Sequence, residues 1–259
     1  MPISRRALIV SAALAARSSS AQPAALVIDA NRHAGLGFSM TGPDTSHAAV
    51  EITLRQMEQA GIGRSILSAI ANPAYETRNQ QIAEICKQHP GKFIGFARHN
   101  PAAESGVVSL LPREIETLGL KGLMIAGRPT RNLLEVVARL RIPVLYQNDV
   151  LAELHMAAQE FPQIPFIVSE LGIRRAFDAH FEAIAIARRY SNVYLTTGAL
   201  IGYEYLEIAA KELGAPKLIF ASNGPEADAR VELYRVRLLK LPPAGEAMVL
   251  GGNMQRLLP

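Results

Sequence analysis

Short, nearly continuous apolar runs alternate with longer amphipathic segments from Leu26 almost to the end of the chain, and this rhythm restricts the fold more than any other feature. The runs are Leu26–Ala30, Arg64–Ile70, Phe93–Ala97, Gly122–Ile125, Pro143–Gln147, Pro165–Ser169, Asn192–Thr196 and Lys217–Ala221. Most lack polar alternation, as expected of parallel strands buried on both faces. Segments of helical length lie between them: His47–Ala60, Asn79–His89, Glu104–Leu118, Leu151–Phe161 and Phe177–Tyr190. Ser46 precedes the first as an N-cap and Gly61 follows it as a stop. Strands and helices in this order form either a closed (β/α)8 TIM barrel or an open doubly wound sheet. A dinucleotide-binding open sheet carries a Gly-x-Gly-x-x-Gly loop running straight into a helix. Ala34-Gly35-Leu36-Gly37 has neither the spacing nor a prompt helix. The pattern predicts an α/β chain folded as a (β/α)8 barrel.

The chain has 259 residues, enough for one large core. Trp is absent and aromatics are few, so aliphatic side chains must fill that core. The first residues read as an address. Ser4-Arg5-Arg6 leads into an apolar run, Ala7 to Ala16, broken only by Ser11, and Ser19 and Ala21 stand like a cleavage site before Gln22. We expect a twin-arginine-like signal peptide over residues 1–21, a single domain over 22–259, and export to the periplasm by the twin-arginine or general secretory route. The lysine of the twin-arginine consensus is missing, and the alternative is a cytoplasmic protein with a chance arginine pair. Without Arg5, Arg6 and Arg17 the chain keeps 24 basic residues against 23 acids, a net charge of +1 rather than +4. No clustered basic face remains, which argues against nucleic acid as a partner. No later segment is long and apolar enough for stable membrane insertion. The single cysteine, Cys86, lies in an apolar helical pattern and reads as a core residue. A small molecule is the expected partner, and a homodimer the expected form if the chain self-associates.

In such barrels the reacting groups come from the C-terminal ends of strands. Those ends carry Asn31, Arg32 and His33; Arg98, His99 and Asn100; Arg128; Gln147, Asn148 and Asp149; Ser169 and Glu170; Thr196 and Thr197; and Ser222 and Asn223. Unpaired buried polar groups are costly, so their convergence on one end predicts a polar pocket.

Several phrases resemble the amidohydrolase-related family, the amidohydrolase 2 branch of metal-dependent TIM-barrel hydrolases and decarboxylases. They include residues 27–33 (Val-Ile-Asp-Ala-Asn-Arg-His), 89–97 (His-Pro-Gly-Lys-Phe-Ile-Gly-Phe-Ala), 142–146 (Ile-Pro-Val-Leu-Tyr), 169–172 (Ser-Glu-Leu-Gly) and 217–225 (Lys-Leu-Ile-Phe-Ala-Ser-Asn-Gly-Pro). The resemblance implies a metal held at strand ends. At the corresponding positions this chain has Asn31 where the first histidine of His-x-His is expected, Gln147 and Glu170 where histidines are expected, and Asn223 where aspartate is expected. His33 alone is kept. Neutral amides are poor zinc donors. No tightly bound cofactor is therefore expected, the alternative being a weakly held divalent metal.

Three readings follow. In the first, the chain is a hydrolase of a small carboxylate, lactone or ester without a catalytic metal. His33 and Glu170 carry the proton work. Arg32, Arg98 or Arg128 holds a substrate carboxylate, with Asn31 and His99 lining the pocket. Gln147, Asn148 and Asn223 donate to an oxyanion. In the second, the barrel binds a small polar ligand without turning it over. In the third, it is a metal-dependent hydrolase or decarboxylase with atypical ligands.

Overall fold

The computed structural model describes residues 26–38, 45–48, 50–71, 74–147, 150–172, 177–200 and 202–259. The signal-peptide expectation falls outside these residues, as do Asn148 and Asp149. Strands and helices alternate in the order β1 (Ile28–Phe38), β2 (Thr45–Ala48), α1 (Val50–Ala60), β3 (Arg64–Ala69), α2 (Tyr75–Gln88), β4 (Phe93–Gly95), β5 (Ala97–His99) and α3 (Val107–Glu116). They continue as β6 (Leu123–Ile125), α4 (Arg131–Leu140), β7 (Val144–Tyr146), α5 (Leu151–Glu160), β8 (Phe166–Val168), α6 (Phe177–Arg189) and β9 (Val193–Thr196). The last elements are α7 (Tyr203–Leu213), β10 (Leu218–Ile219), α8 (Ala229–Leu238), α9 (Pro243–Ala247) and α10 (Asn253–Leu257).

Parallel pairing runs through β1, β3 and β4 in one stretch and from β5 to β10 in the other. β4 and β5 are two halves of one strand interrupted at Phe96. The Phe96 N–H donates to Leu67 O at 2.9 Å and the Ala97 N–H to Gly122 O at 2.9 Å, so the pairing passes from one neighbour to the next. The last strand closes on the first, with Ala30 N–H donating to Phe220 O at 2.9 Å and His33 N–H to Gly224 O at 2.8 Å. β2 lies outside this ring, as a hairpin arm paired antiparallel with the far end of β1. The remaining strands, with β4 and β5 joined, form the closed eight-stranded barrel.

Alternation along the strands sorts the core into two layers. Ile28, Ile66, Phe96, Met124, Leu145, Ile167 and Ile219 fill the interior. Leu67, Phe93, Leu123, Val144, Phe166 and Val193 face the helices. Met254 of α10 joins the inner cluster, and Asn253 donates through Nδ2 to Leu218 O and Ala215 O at 2.8 Å each. The C-terminal helix thus closes the floor and leaves the opposite end as the mouth.

All eight apolar runs form strands, trimmed or extended by a few residues. The first helix differs at its start. Thr45–Ala48 pairs with Gly35–Phe38, so Ser46 is a strand residue and His47 does not open α1. Gly61 does stop α1, with a left-handed φ of +70°. His180 is buried, its Nδ1–H donating to Leu171 O at 3.0 Å.

Candidate active site at the barrel mouth

A bulge in β1 decides which polar residues enter the barrel. Asp29 pairs with Ser65 and Arg32 with Leu67, so β1 advances three residues while β3 advances two. Arg32 therefore shares the outward face with Leu67, and His33 shares the inward face with Ser68. His33 Nδ1 lies 3.0 Å from Ser68 Oγ, and Ser68 donates to the Sδ of inner-core Met124 at 3.2 Å.

Asn31 reaches across the mouth. Its Nδ2 donates to Ser169 Oγ at 3.0 Å and to Asn223 Oδ1 at 2.9 Å. Asn223 Nδ2 in turn donates to Glu170 Oε1 at 3.0 Å and, at 3.5 Å, to Glu226 Oε2. One buried chain of hydrogen bonds thus ties together the ends of β1, β8 and β10. Glu170 sits in a left-handed conformation (φ 55°, ψ 33°), and Leu171 follows at φ 52°. Such backbone is disfavoured for residues with a side chain and persists only where neighbours hold it. Here Thr196 Oγ1 accepts the Glu170 N–H at 2.8 Å, and His180 holds Leu171 O.

Arg98 is buried, with 3% exposure. Its register with Met124 turns it inward, where Nη1 donates to Ala69 O and Nη2 to Gln147 Oε1, both at 2.9 Å. Its Cζ lies 5.6 Å from the centre of the Tyr75 ring. Burial pushes the guanidinium below its ordinary range, with Tyr75 and the Glu226 carboxylate acting the other way. Arginine nonetheless keeps its charge in proteins. Its acceptors Ala69 O and Gln147 Oε1 are neutral, and its Nε has no hydrogen-bond partner.

The structure takes three expected pocket residues away from the mouth. Arg32 is turned towards α1 by the bulge and is fully buried against Asp29, Ser222 and Gln56. Burial raises the Asp29 carboxyl, although Arg32 and the Ser222 hydrogen bonds oppose the shift. His99 follows the inward Arg98 on an alternating strand and so faces the helices. Its Nδ1 meets Glu104 at 2.9 Å and its Nε2 meets Glu114 at 2.8 Å. Burial disfavours charge on this ring, but the hydrogen bonds to both glutamates outweigh it and raise its pKa to about 9. Arg128 is largely exposed and pairs with Glu153 at 2.5 Å. Asn31, Asn223 and Glu170 are joined by hydrogen bonds at the strand ends, Arg98 is bonded to Gln147, and His33 to Ser68.

Sequence reasoning missed Ser68, Tyr75, Met124 and Glu226. Ser68 had a readable signal, since it lies two residues beyond inward-facing Ile66 on the same strand. Glu226 follows Gly224-Pro225 at the end of a strand that contributes only two ladder residues, and spacing alone does not aim it.

The metal implied by the resemblance does not fit this donor set. Among the described residues no three His, Cys, Asp or Glu side chains cluster closely enough to hold an ion. Asn31 and Asn223 occupy expected ligand positions but use their amide nitrogens to bind one another, Ser169 and Glu170. Zinc sites need three or four imidazole, thiolate or carboxylate donors.

Comparison with known proteins agrees with this architecture. A 5-carboxyvanillate decarboxylase from Sphingomonas paucimobilis superposes with a TM-score of 0.70 at 14% identity, over 90% of this chain and 98% of its own. A 2,6-dihydroxybenzoate decarboxylase from Rhizobium gives 0.72 at 16% identity, over 90% and 98%. A probable 2-pyrone-4,6-dicarboxylic acid hydrolase from Acinetobacter baumannii, with citric acid bound, gives 0.69 at 14%, over 89% and 98%. At these identities the likeness is one of fold. No curated protein matches the sequence. The amidohydrolase family model matches residues 28–259, nearly the whole described chain, and the protein belongs to the amidohydrolase family.

Proposed function

We propose that the barrel mouth binds a small carboxylate-bearing lactone or ester and hydrolyses it without a catalytic metal. The observation that carries this reading is Arg98, a buried inward-facing cation whose hydrogen-bond acceptors are neutral and whose Nε lacks a partner. A buried charge is costly unless paired; the Glu226 carboxylate acts on Arg98 electrostatically, and a substrate carboxylate supplies an anion bonded to it directly. Each of the three solved relatives is named for a carboxylated compound, which supports the same ligand class. His33 serves as general base. It takes a proton from water as the water oxygen bonds to the carbonyl carbon, and the protonated ring returns a proton to the departing alkoxide as the carbon–oxygen bond breaks. Gln147, its carbonyl oxygen held by Arg98, is placed to donate to the oxyanion. Glu170 and Asn223 shape the pocket floor as a bonded pair.

The test is turnover of matched lactones and esters with and without a carboxylate. The carboxylated compounds alone should react. Arg98→Gln should raise KM by roughly 10- to 100-fold, the worth of a charge-assisted hydrogen bond or two. Equal turnover of the uncharged compounds would overturn the reading. The Asn31–Asn223–Glu170 chain, which binds its members to one another, favours a second reading, a binding barrel without catalysis. Thermal stabilisation by carboxylates with no turnover in the same panel would select it.

A further inference from the structure

We infer that the groove between α5 and α6 is the face on which a second copy of this chain pairs, across a two-fold axis between Ala185 and Ile186. This face belongs to the outer helical layer, and its pairing is independent of the proposed function at the barrel mouth.

The groove is open and mainly apolar. Ala152 and Met156 of α5 line one side, and Ala185 and Ile186 of α6 the other, with Glu182 and Arg189 at the two ends of the α6 wall. Met156 is 62% exposed. Contiguous apolar surface with a charged rim is the mark of an interaction site.

The charges decide which partner fits. Along α6, the acids Asp178 and Glu182 come first and Arg188 and Arg189 occupy the last turn. Arg188 is committed to Glu212 of α7 at 2.8 Å. Among the described residues Glu182 has no salt-bridge partner, and Arg189 has the Tyr190 ring, its Cζ 5.6 Å from the ring centre. Acid before base is the order that the helix dipole favours within a single helix. Here the two charges also line one groove, seven residues apart, which is two turns or about 10 Å along the axis. An antiparallel second copy of α6 centred between Ala185 and Ile186 sets each Glu182 level with the partner's Arg189. Both pairs form together, as an isologous contact requires. Ala185 is exposed at the centre and presents a methyl group, so the two helices can approach to the usual spacing of about 8–10 Å. Met156 then faces apolar surface of the other copy instead of water.

Another exposed apolar stripe, Val231, Tyr234 and Leu238 on α8, fits a second copy less well. Its exposed flanks carry Arg230 and Arg237, and the neighbouring acid, Asp228, is already bonded to Arg230 at 2.5 Å. Two copies of that stripe would bring like charges together. Helices of 10 and 13 residues are about 15 and 20 Å long, so the α5–α6 face is small for an interface and the dimer should come apart on dilution.

The experiment is sedimentation velocity of the full chain from roughly 1 to 100 μM. The wild type should pass from monomer to dimer as concentration rises. Glu182→Arg makes the groove wholly basic and Arg189→Glu makes it wholly acidic. Each variant alone should self-associate roughly 100-fold more weakly, about a factor of ten for each of the two like-charge contacts. Mixed in equal amounts, the two variants should recover the dimer, because every arginine then meets a glutamate. That recovery also shows that both variants are folded. The double reversal Glu182→Arg with Arg189→Glu in one chain should recover it as well. A wild type that stays monomeric throughout, which would leave the groove to a different partner, would overturn the inference. So would a dimer that both single variants form unchanged, or single variants whose mixture stays monomeric.

Discussion

His99 offers a quantitative test of the charge network that holds Arg98. Asn79 accepts the Arg98 N–H through Oδ1 at 3.0 Å, and its Nδ2 donates to Glu114 at 2.8 Å and to Arg98 O at 3.2 Å. Glu114 and Glu104 then grip His99, so one buried lattice fixes the backbone that aims Arg98 inward. The ring pKa rises from 6.5 to about 9, because the two glutamates outweigh the burial that alone would lower it. Between those values the folded ring keeps a proton that the unfolded ring has released. The stabilisation is therefore complete below about pH 6.5 and is lost as pH rises through about 9. At 1.36 kcal/mol per pKa unit the contribution is on the order of 3 kcal/mol. Lys217 acts in the opposite sense across part of this range, since burial lowers its pKa to about 8. The His99→Gln variant cancels that effect, because it shares Lys217. Urea unfolding of both proteins from about pH 6 to about pH 9.5 should show the stability difference between them shrinking by roughly 3 kcal/mol. A difference that stays constant across that interval would refute the protonated-histidine account.

Gly198→Ala should lower stability by about 1–3 kcal/mol or more, read as a drop in denaturant midpoint, because the added Cβ would sit 1.8 Å from Ala221 O on the neighbouring strand segment. The Cys86 thiol, whose pKa burial pushes up to about 12, should react with iodoacetamide far more slowly in the native protein than in urea at neutral pH. Equal rates in the two conditions would show that its environment is not the one described.

The strands were legible because a parallel barrel buries both faces of each strand and writes them as apolar runs. That argument located all eight, including the third, whose interruption at Phe96 leaves no mark in hydropathy. It could not locate the β1 bulge. A continuous count along β1 cannot tell where one extra residue shifts the register, and that shift sends Arg32 to the helices while keeping Asn31 and His33 inside. His99 was readable in principle, since an inward Arg98 forces its successor outward. Proximity to a strand end was the weaker guide there. His47 was drawn into a helix by the amphipathic segment that follows it, whereas long-range pairing with Gly35–Phe38 decides its backbone. The hydrogen-bond chain through Asn31, Asn223 and Glu170 joins residues far apart in sequence, and only the closed barrel brings them together.

Turnover after exhaustive chelation tests the central claim most directly. A carboxylated lactone or ester is offered to chelated protein whose metal content has been measured, alongside His33→Ala treated in the same way. The account predicts hydrolysis that survives chelation, is not raised by added zinc or manganese, and disappears in His33→Ala. Activity lost with the chelator and restored by a stoichiometric divalent metal would contradict it.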